Sequence, residues 1–344
     1  MVNFDVKSMR SEAATDVLIL GAGPAGTATA IQCAQAGLDV AIVEREQFPR
    51  DRPGETLHPG IEPLLQQLGV AEQTLTPDLL RHPGIWVQWN QAHFVPFGKD
   101  DTGVWRGFQI WRADFDAALL NHAKKLGVKV LQPCYPTALL LSADRVAGVK
   151  TSQGALHSTF VVDATGSHHW LARQLKLPIT YYSPRLIARY GYATGEIPQS
   201  SPAIAADNQG WTWTVQVRPQ LYQWTRLSFN QQIDKRWIPP EFAQLQPIRT
   251  NAADVTWRIV EQPAGKGYFL VGDAASVLDP AASHGVLKAI MSGMMAGHII
   301  TQIFNHAQPE QIAIQAYNHW LHTWFHHDIQ KLKELYATLP TPPQ

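Results

Sequence analysis

Apolar runs and the residues that interrupt them divide this chain into readable elements. DVLIL (Asp16–Leu20) is a strand-length apolar run, followed at once by GAGPAG (Gly21–Gly26) and the small-residue stretch TATAIQCAQAG. That stretch predicts a helix closed by Gly37, where glycine supplies the usual C-terminal conformation. LDVAIVERE reads as a second strand ending in Glu44, and IEPLLQQLGV as a short helix. WRADFDAALLNHAKKLGVKV sets Phe115, Leu119, Leu120 and Ala123 on one helical face and then runs into a strand. TALLLSADRVAGVKT and ALHSTFVVDATG continue as strands. From about Leu175 to Val255 alternation replaces helical spacing. WTWTVQV puts Trp211, Trp213, Val215 and Val217 on one side and Thr212, Thr214 and Gln216 on the other, with RLIARYGYATGE and LYQWTRLSF as companion strands. YFLVGDAA returns to the apolar strand pattern. Gly285 to Ile300 is apolar but broken by Lys288, Ser292 and His298, which predicts a buried helix and not a membrane span.

The order of elements predicts an α/β fold. A Rossmann-like nucleotide domain is discontinuous over 15–80, 105–174 and 256–305. An antiparallel sheet domain inserted into it takes 81–104 and 175–255, and a helical tail runs over 306–344. Composition narrows the field. The 344 residues carry 28 Lys+Arg against 28 Asp+Glu, a net charge of zero, which excludes binding to nucleic acid or an anionic membrane through bulk charge. With 45% hydrophobic and 16% charged residues the chain can bury a large core. Its two cysteines, Cys33 and Cys134, make no disulfide framework, and no signal-peptide core lies in the first sixteen residues, which read as a loose arm. The expected compartment is the cytoplasm.

The glycine turn carries the first chemistry. Strand, GAGPAG, helix and a second strand form a βαβ unit, with Glu44 standing 23 positions after Gly21. Gly21 permits the sharp turn, Gly23 lets backbone approach a pyrophosphate, and Gly26 lets the helix pack on the sheet. Pro24 and Ala25 open the helix, whose free N–H groups favour phosphate, while Glu44 is placed for ribose hydroxyls with Arg45 beside it. In the tail His319, His322 and His326 share a helical face, but no acid or cysteine nearby completes a ligand set, so no metal is expected.

Two later pieces specify the cofactor. VVDATG (Val161–Gly166) and YFLVGDAA (Tyr268–Ala275), taken with the glycine turn, resemble the three nucleotide motifs of FAD proteins of the p-hydroxybenzoate hydroxylase superfamily. That superfamily includes aromatic hydroxylases, geranylgeranyl reductases and tryptophan halogenases. The resemblance implies that Gly272 and Asp273 meet the ribityl chain. Asp163, Ala164, Thr165 and Gly166 would pass the adenine half, and Arg112 would reach the middle of the flavin. In LDPAASHGVLKA, the turn from Pro280 through Ser283 to Gly285 and Val286 would aim a helix N-terminus at the flavin's pyrimidine edge, favouring negative charge at N1 and O2. His284 would lie at that edge, and Glu55 and His58 near the isoalloxazine, as candidate catalytic groups. No second GxGxxG follows a strand, so NADH or NADPH would visit transiently as electron donor.

Within the superfamily, RPGETLHPGIEPLLQQLGV resembles the GE[ST]-x-x-P segment of the halogenase-like branch, and the Trp211/Trp213 strand resembles its W-x-W signature. Two departures weigh against halogenation: Val215-Gln216 replace the halogenases' Ile-Pro, and Leu79–Trp89 holds none of the lysine that relays oxidised halide. The pairing of GETLHPGIEPLLQQLGV with DPAASHGVLKAIMSG is similar to LodB and GoxB flavoproteins, which oxygenate a tryptophan in the precursor of a quinone-cofactor oxidase. The expected function is therefore an FAD monooxygenase hydroxylating an aromatic group, in a partner oxidase precursor on this resemblance, through a flavin C4a-hydroperoxide. Trp211, Trp213 and Trp224 would line its substrate pocket. The alternatives are an FAD reductase of an isoprenoid or lipid double bond, a tryptophan-halogenase-like enzyme, and a flavoprotein that only escorts another enzyme.

Overall fold

The computed structural model describes residues 14–89, 91–197, 201–229, 234, 236–282 and 284–338. Its centre is five parallel strands in the order Lys129–Leu131, Val40–Val43, Ala14–Leu20, Gly154–Asp163 and Tyr268–Leu270. Val17–Leu20, Val40–Val43 and Phe160–Val162 are buried on both faces, as the strands of a central parallel sheet covered on each side must be. Two antiparallel strands, Arg145–Thr151 and Pro136–Ser142, extend this sheet from the first half of Gly154–Asp163, and Ala264–Gly265 pairs with Tyr268–Leu270. Register places Val43, Leu20, Asp163 and Leu270 in one row across the sheet. The three turns singled out in the sequence therefore leave neighbouring strands at one level.

A second, seven-stranded sheet runs in the order Gln246–Asp254, Ile187–Thr194, Leu221–Ser228, Gly210–Arg218, Ala203–Asp207, Gly84–Gln88 and Ala92–Pro96. It draws on both predicted inserts. Its pairing is antiparallel except where Ala203–Asp207 meets Gly84–Gln88, which run parallel because they come from separate inserts with no hairpin between them.

The Pro24–Gln35 helix is built of small residues, and so is the face it packs against on the Gly285–Phe304 helix. Thr29 donates its hydroxyl to the Gly293 carbonyl at 3.0 Å. Side-chain-free positions allow this approach: a β-carbon at Gly293 would lie 2.2 Å from the Ala25 carbonyl oxygen. The later helix is long and apolar enough to cross a membrane by length and composition, yet half of its apolar window is buried inside the protein. Cys33 is buried between the two helices and burial pushes its thiol up to about 12, so it is an inert packing residue.

The tail is a long helix, Glu310–Ala337, whose buried stripe of Ala313, Tyr317, Leu321, Phe325, Ile329 and Tyr336 joins the main core. Tyr317 donates to the Leu270 carbonyl at 2.7 Å, and Asn318 exchanges two hydrogen bonds with Ala264. A segment read as a tail thus braces the last parallel strand. Introducing even a methyl group at Gly293 should force the two small-residue helices apart: Gly293→Ala is expected to cost about 1–3 kcal/mol, measured as a lower midpoint of chemical unfolding.

Candidate functional site

Three backbone turns cross at the carboxyl ends of adjacent parallel strands, where open α/β sheets place their ligands. Gly21 adopts φ +104°, and a β-carbon there would sit 2.4 Å from the Ala164 carbonyl oxygen of the neighbouring turn. One at Gly26 would sit 2.0 Å from the Gly21 oxygen. Gly23 has room around it, the nearest atom to a β-carbon being Arg50 Nη2 at 3.6 Å. Gly23 also caps the Pro24–Gln35 helix with no side-chain hydrogen bond, which leaves the first-turn N–H groups facing outward. Glu44 is buried and both its oxygens accept backbone N–H groups, from Ala22 at 2.7 Å and Glu46 at 2.9 Å. Each oxygen keeps a second lone pair for a ribose hydroxyl.

Arg50 was not legible in the sequence as part of this site. Its guanidinium is nearly buried beside Gly23, 3.4 Å from Asp116, and its Nε and Nη1 have no hydrogen-bond partner among the described residues. Its one sequence signal is position, between the acidic strand end and Gly54-Glu55. Arg45 instead points to the surface, where it pairs with Glu46. The shift from Arg45 to Arg50 arises because the irregular loop after Glu44 turns back over the glycine turn.

At the second turn Asp163 is fully buried, with its oxygens accepting from Thr165 N at 2.9 Å and Leu171 N at 2.8 Å. Both oxygens hold the local chain in shape and, unlike Glu44, the residue has no exposed surface at all, which corrects the expectation that Asp163 meets cofactor; Ala164, Thr165 and Gly166 are each partly exposed. His169 follows with φ +49°. Its Nδ1 lies 2.9 Å from the Ala274 carbonyl, and its Nε2 accepts from Arg258 Nε at 2.8 Å. His169 thereby clamps the second turn to the third. At the third turn Gly272 takes φ +57°, and Asp273 is reached by solvent yet surrounded by protein. Asp273 has no hydrogen bond to any described residue, and desolvation raises its pKa against the pull of Arg258 and Arg112. An acid without a hydrogen bond at a recess, a guanidinium at Gly23 that is ion-paired with Asp116 but not hydrogen-bonded, and the free helix terminus between them fit the ribityl and pyrophosphate parts of FAD.

In front of these turns, Gly54 lies against Arg112 and Val286, where a β-carbon would be 3.0 Å from Arg112 Nη1 and 3.6 Å from Val286 Cγ2. Arg112 holds Asp116 with Nε and Nη2 at 3.0 Å each and gives Nη1 to the Pro53 carbonyl at 2.7 Å. It braces the 53–54 turn, and only Nη1 borders the groove. His58 and His284 come together, with ring centroids 5.0 Å apart, and His58 also meets Phe97 at 5.1 Å. His58 Nδ1 accepts from Gly60 N at 3.0 Å, which puts the ring proton on Nε2, and burial lowers its pKa so that the ring is neutral. Pro280 begins the short helical turn before the Gly285–Phe304 helix, and Gly285 at its start is exposed; Ser283 lies outside the described residues. Glu55 is 2% exposed and its carboxylate accepts from Tyr192, 137 positions away.

The tryptophans divide. Trp211 and Trp224 are buried and line no open pocket, which corrects the substrate reading. Trp211 donates Nε1–H to Tyr336 Oη at 2.8 Å, and Trp224 packs on Trp237 in a small core of its own with Tyr222, Phe242 and Leu245. Trp213 is half-buried against the main core. The cause is that both faces of the second sheet are covered, one by the C-terminal helix and one by the 237–245 segment. In that C-terminal helix His322 lies 3.0 Å from the Glu261 carbonyl and His326 3.2 Å from Tyr182 Oη.

Two outcomes follow for these groups. Arg50→Ala should weaken FAD binding about 10- to 100-fold, as loss of one charge-assisted contact of about 1.5–3 kcal/mol, measured by flavin fluorescence titration. His169 is held neutral with its pKa lowered to about 4, first by burial, so its contribution to stability is complete above about 6.5 and is lost as pH falls from 6.5 to 4. Chemical unfolding of wild type should weaken over that window by on the order of 3 kcal/mol more than in His169→Gln.

A family model described as FAD binding domain matches residues 14–322. A tryptophan 2-halogenase from Chondromyces crocatus is 27% identical over 329 residues, 86% of this chain and 62% of that protein; the chain thus spans less than two thirds of that relative's length. A 1H-pyrrole-2-carbonyl peptidyl-carrier-protein brominase from Pseudoalteromonas luteoviolacea is 26% identical, over 89% of this chain and 81% of its own. Among solved structures, the flavin-dependent brominase Bmp2 superposes with a TM-score of 0.78 at 25% identity, covering 89% of this chain and 83% of that one. A geranylgeranyl bacteriochlorophyll reductase-like protein from Thermoplasma acidophilum reaches 0.80 at 20% identity, over 96% and 89%, which is a likeness of fold. The LodB and GoxB branch draws no support from these relatives, which carry instead the wider FAD-dependent hydroxylase-like superfamily. With three crossing turns that fit FAD and a family match over nearly its whole length, the chain belongs to the FAD binding domain family.

Proposed function

We propose that this protein is an FAD-dependent enzyme that halogenates an electron-rich aromatic ring. The observation that carries the reading is the match, over 86–89% of the chain, to relatives named as halogenases of tryptophan and of a carrier-bound pyrrole. It reverses the order of preference drawn from the sequence, where hydroxylation led. Bound FAD supplies the redox chemistry, taking electrons from a donor and passing them to oxygen. The chain's own groups shape where that happens. The first turn of the Gly285–Phe304 helix presents free N–H groups and the positive end of its dipole beside exposed Gly285, a setting that favours an anion. His58 offers Nε2–H next to His284, and Phe97 shields that pair from one side.

The missing lysine between Leu79 and Trp89 is the observation that favours a second reading, hydroxylation of an aromatic ring. There Arg81 pairs with Glu62, and His82 is buried against Gln109, so neither replaces a free amine. The amine with a place near this site is Lys288, one helical turn after His284, ion-paired with Asp328 and lowered in pKa by burial.

The two readings separate in one assay. FAD-loaded protein given NADH or NADPH, a flavin reductase, oxygen and bromide should brominate tryptophan or a carrier-bound pyrrole, seen by mass spectrometry as bromine's paired isotope peaks. A product that has gained one oxygen instead would transfer the assignment to hydroxylation. Substrates left unmodified while the flavin turns over would overturn both.

A further inference from the structure

We propose that Tyr192 is the positioning residue for Glu55: its phenolic O–H fixes that carboxyl group at the join between the 53–55 turn and the antiparallel sheet. The inference deepens the reading above and rests on it only for the use made of the proton. The pair is formed by residues 137 positions apart, one in the Gly-Glu turn and one in the Ile187–Thr194 strand. Glu55 Oε1 accepts from Tyr192, and Oε2 accepts from Gly54 N–H at 2.9 Å. Both residues are buried, with Glu55 and Tyr192 each 2% exposed.

The charged groups around the pair leave the carboxyl without a direct cationic partner among the described residues. Arg112, on the Arg112–Lys125 helix, has its fork on Asp116. Arg249, on the Gln246–Asp254 strand, lies 4.6 Å over the Tyr192 ring, also hydrogen-bonds the Tyr192 side chain and pairs with Asp51. Tyr190, on Tyr192's own strand, is a further titratable neighbour, influenced by Arg52, Arg249 and Glu55. Trp111 packs edge-on against the Tyr192 ring at 5.5 Å. Burial raises the pKa of Glu55, and the Tyr192 hydrogen bond is the largest influence opposing it. A hydroxyl from the sheet therefore acts on a buried acid whose neighbour Gly54 lies beside Val286 at the start of the Gly285–Phe304 helix, where a β-carbon on Gly54 would be 3.6 Å from Val286 Cγ2. This couples the sheet to the flavin-side turn through one proton.

The test is an infrared titration of the FAD-loaded full-length protein, following the protonated-carboxyl band identified as the one lost in Glu55→Gln. Removing a hydrogen bond to a charged group should raise that band's midpoint in Tyr192→Phe by about one to two pH units. Site-specific replacement of Tyr192 by 3-fluorotyrosine, a more acidic donor of the same shape, should lower it, and this keeps the test available if Tyr192→Phe does not retain FAD. A midpoint unmoved by either change would overturn the proposal. The titration needs neither halide nor aromatic substrate, so its failure and failure of the bromide assay are separate results.

Discussion

No side chain can stand at Gly21 or Gly26, and the rest of the site depends on that exclusion. The two positions let the first turn pass within contact of the Ala164 carbonyl and let the following helix sit on the turn's own backbone. Three neighbouring strands can then deliver their turns to one groove: the glycine turn, the Asp163 turn and the Asp273 turn. Any β-carbon there would push the turns apart and enlarge the space between helix N-terminus and Asp273. The close packing of small residues between the Pro24–Gln35 and Gly285–Phe304 helices follows from the same need, because both helices begin at the groove.

Around this centre the structure uses buried polar links between distant segments. His169 ties the second turn to the third through Ala274, with Arg258 behind it. Asp279, next to Pro280, accepts from Tyr336 Oη at 2.7 Å, Trp257 Nε1 at 2.9 Å and Ala281 N at 2.8 Å, while Tyr336 accepts from Trp211. That network joins the second sheet, the C-terminal helix and the loop entering the Gly285–Phe304 helix. Each link is a donor and acceptor pair whose loss would leave a buried polar group unmatched, a greater cost than the bond's own net contribution. The C-terminal helix is consequently part of the site's scaffold.

The halogenase relatives and the motif departures pull in different directions, and they concern different levels of structure. Relatedness over most of the chain speaks to the groove and the sheets that frame it. The absent lysine concerns a single side chain in a segment, Leu79–Trp89, that lies in short strands of two sheets, where pairing with neighbouring strands and with Glu62 determines what each residue faces.

By itself the amino-acid sequence determined the α/β class, the glycine turn, the order of strands that end in Glu44, Asp163 and Asp273, and the identity of FAD. The class, the turn and the strand order rest on local patterns: apolar runs of strand length, glycines at fixed spacing, and an acid at a strand end; FAD rests on the resemblance of the three turns together to the motifs of a flavoprotein superfamily. Only the tertiary structure decided which polar groups stay free for a ligand. Asp163 and Arg112 carry the residue types expected of cofactor contacts, yet local N–H groups and Asp116 occupy them, while Asp273 has no hydrogen bond to a described residue and Arg50 brings Nη2 beside Gly23. Trp211 and Trp224 read as a substrate stripe because alternation along a strand marks a face but not what covers it. Glu55 was legible as a candidate catalytic acid, but not its partner: the fold brought Tyr192 to it from 137 positions away. The physical reason is common to all of these: whether a side chain binds something outside the protein depends on whether a partner from a distant segment reaches it first.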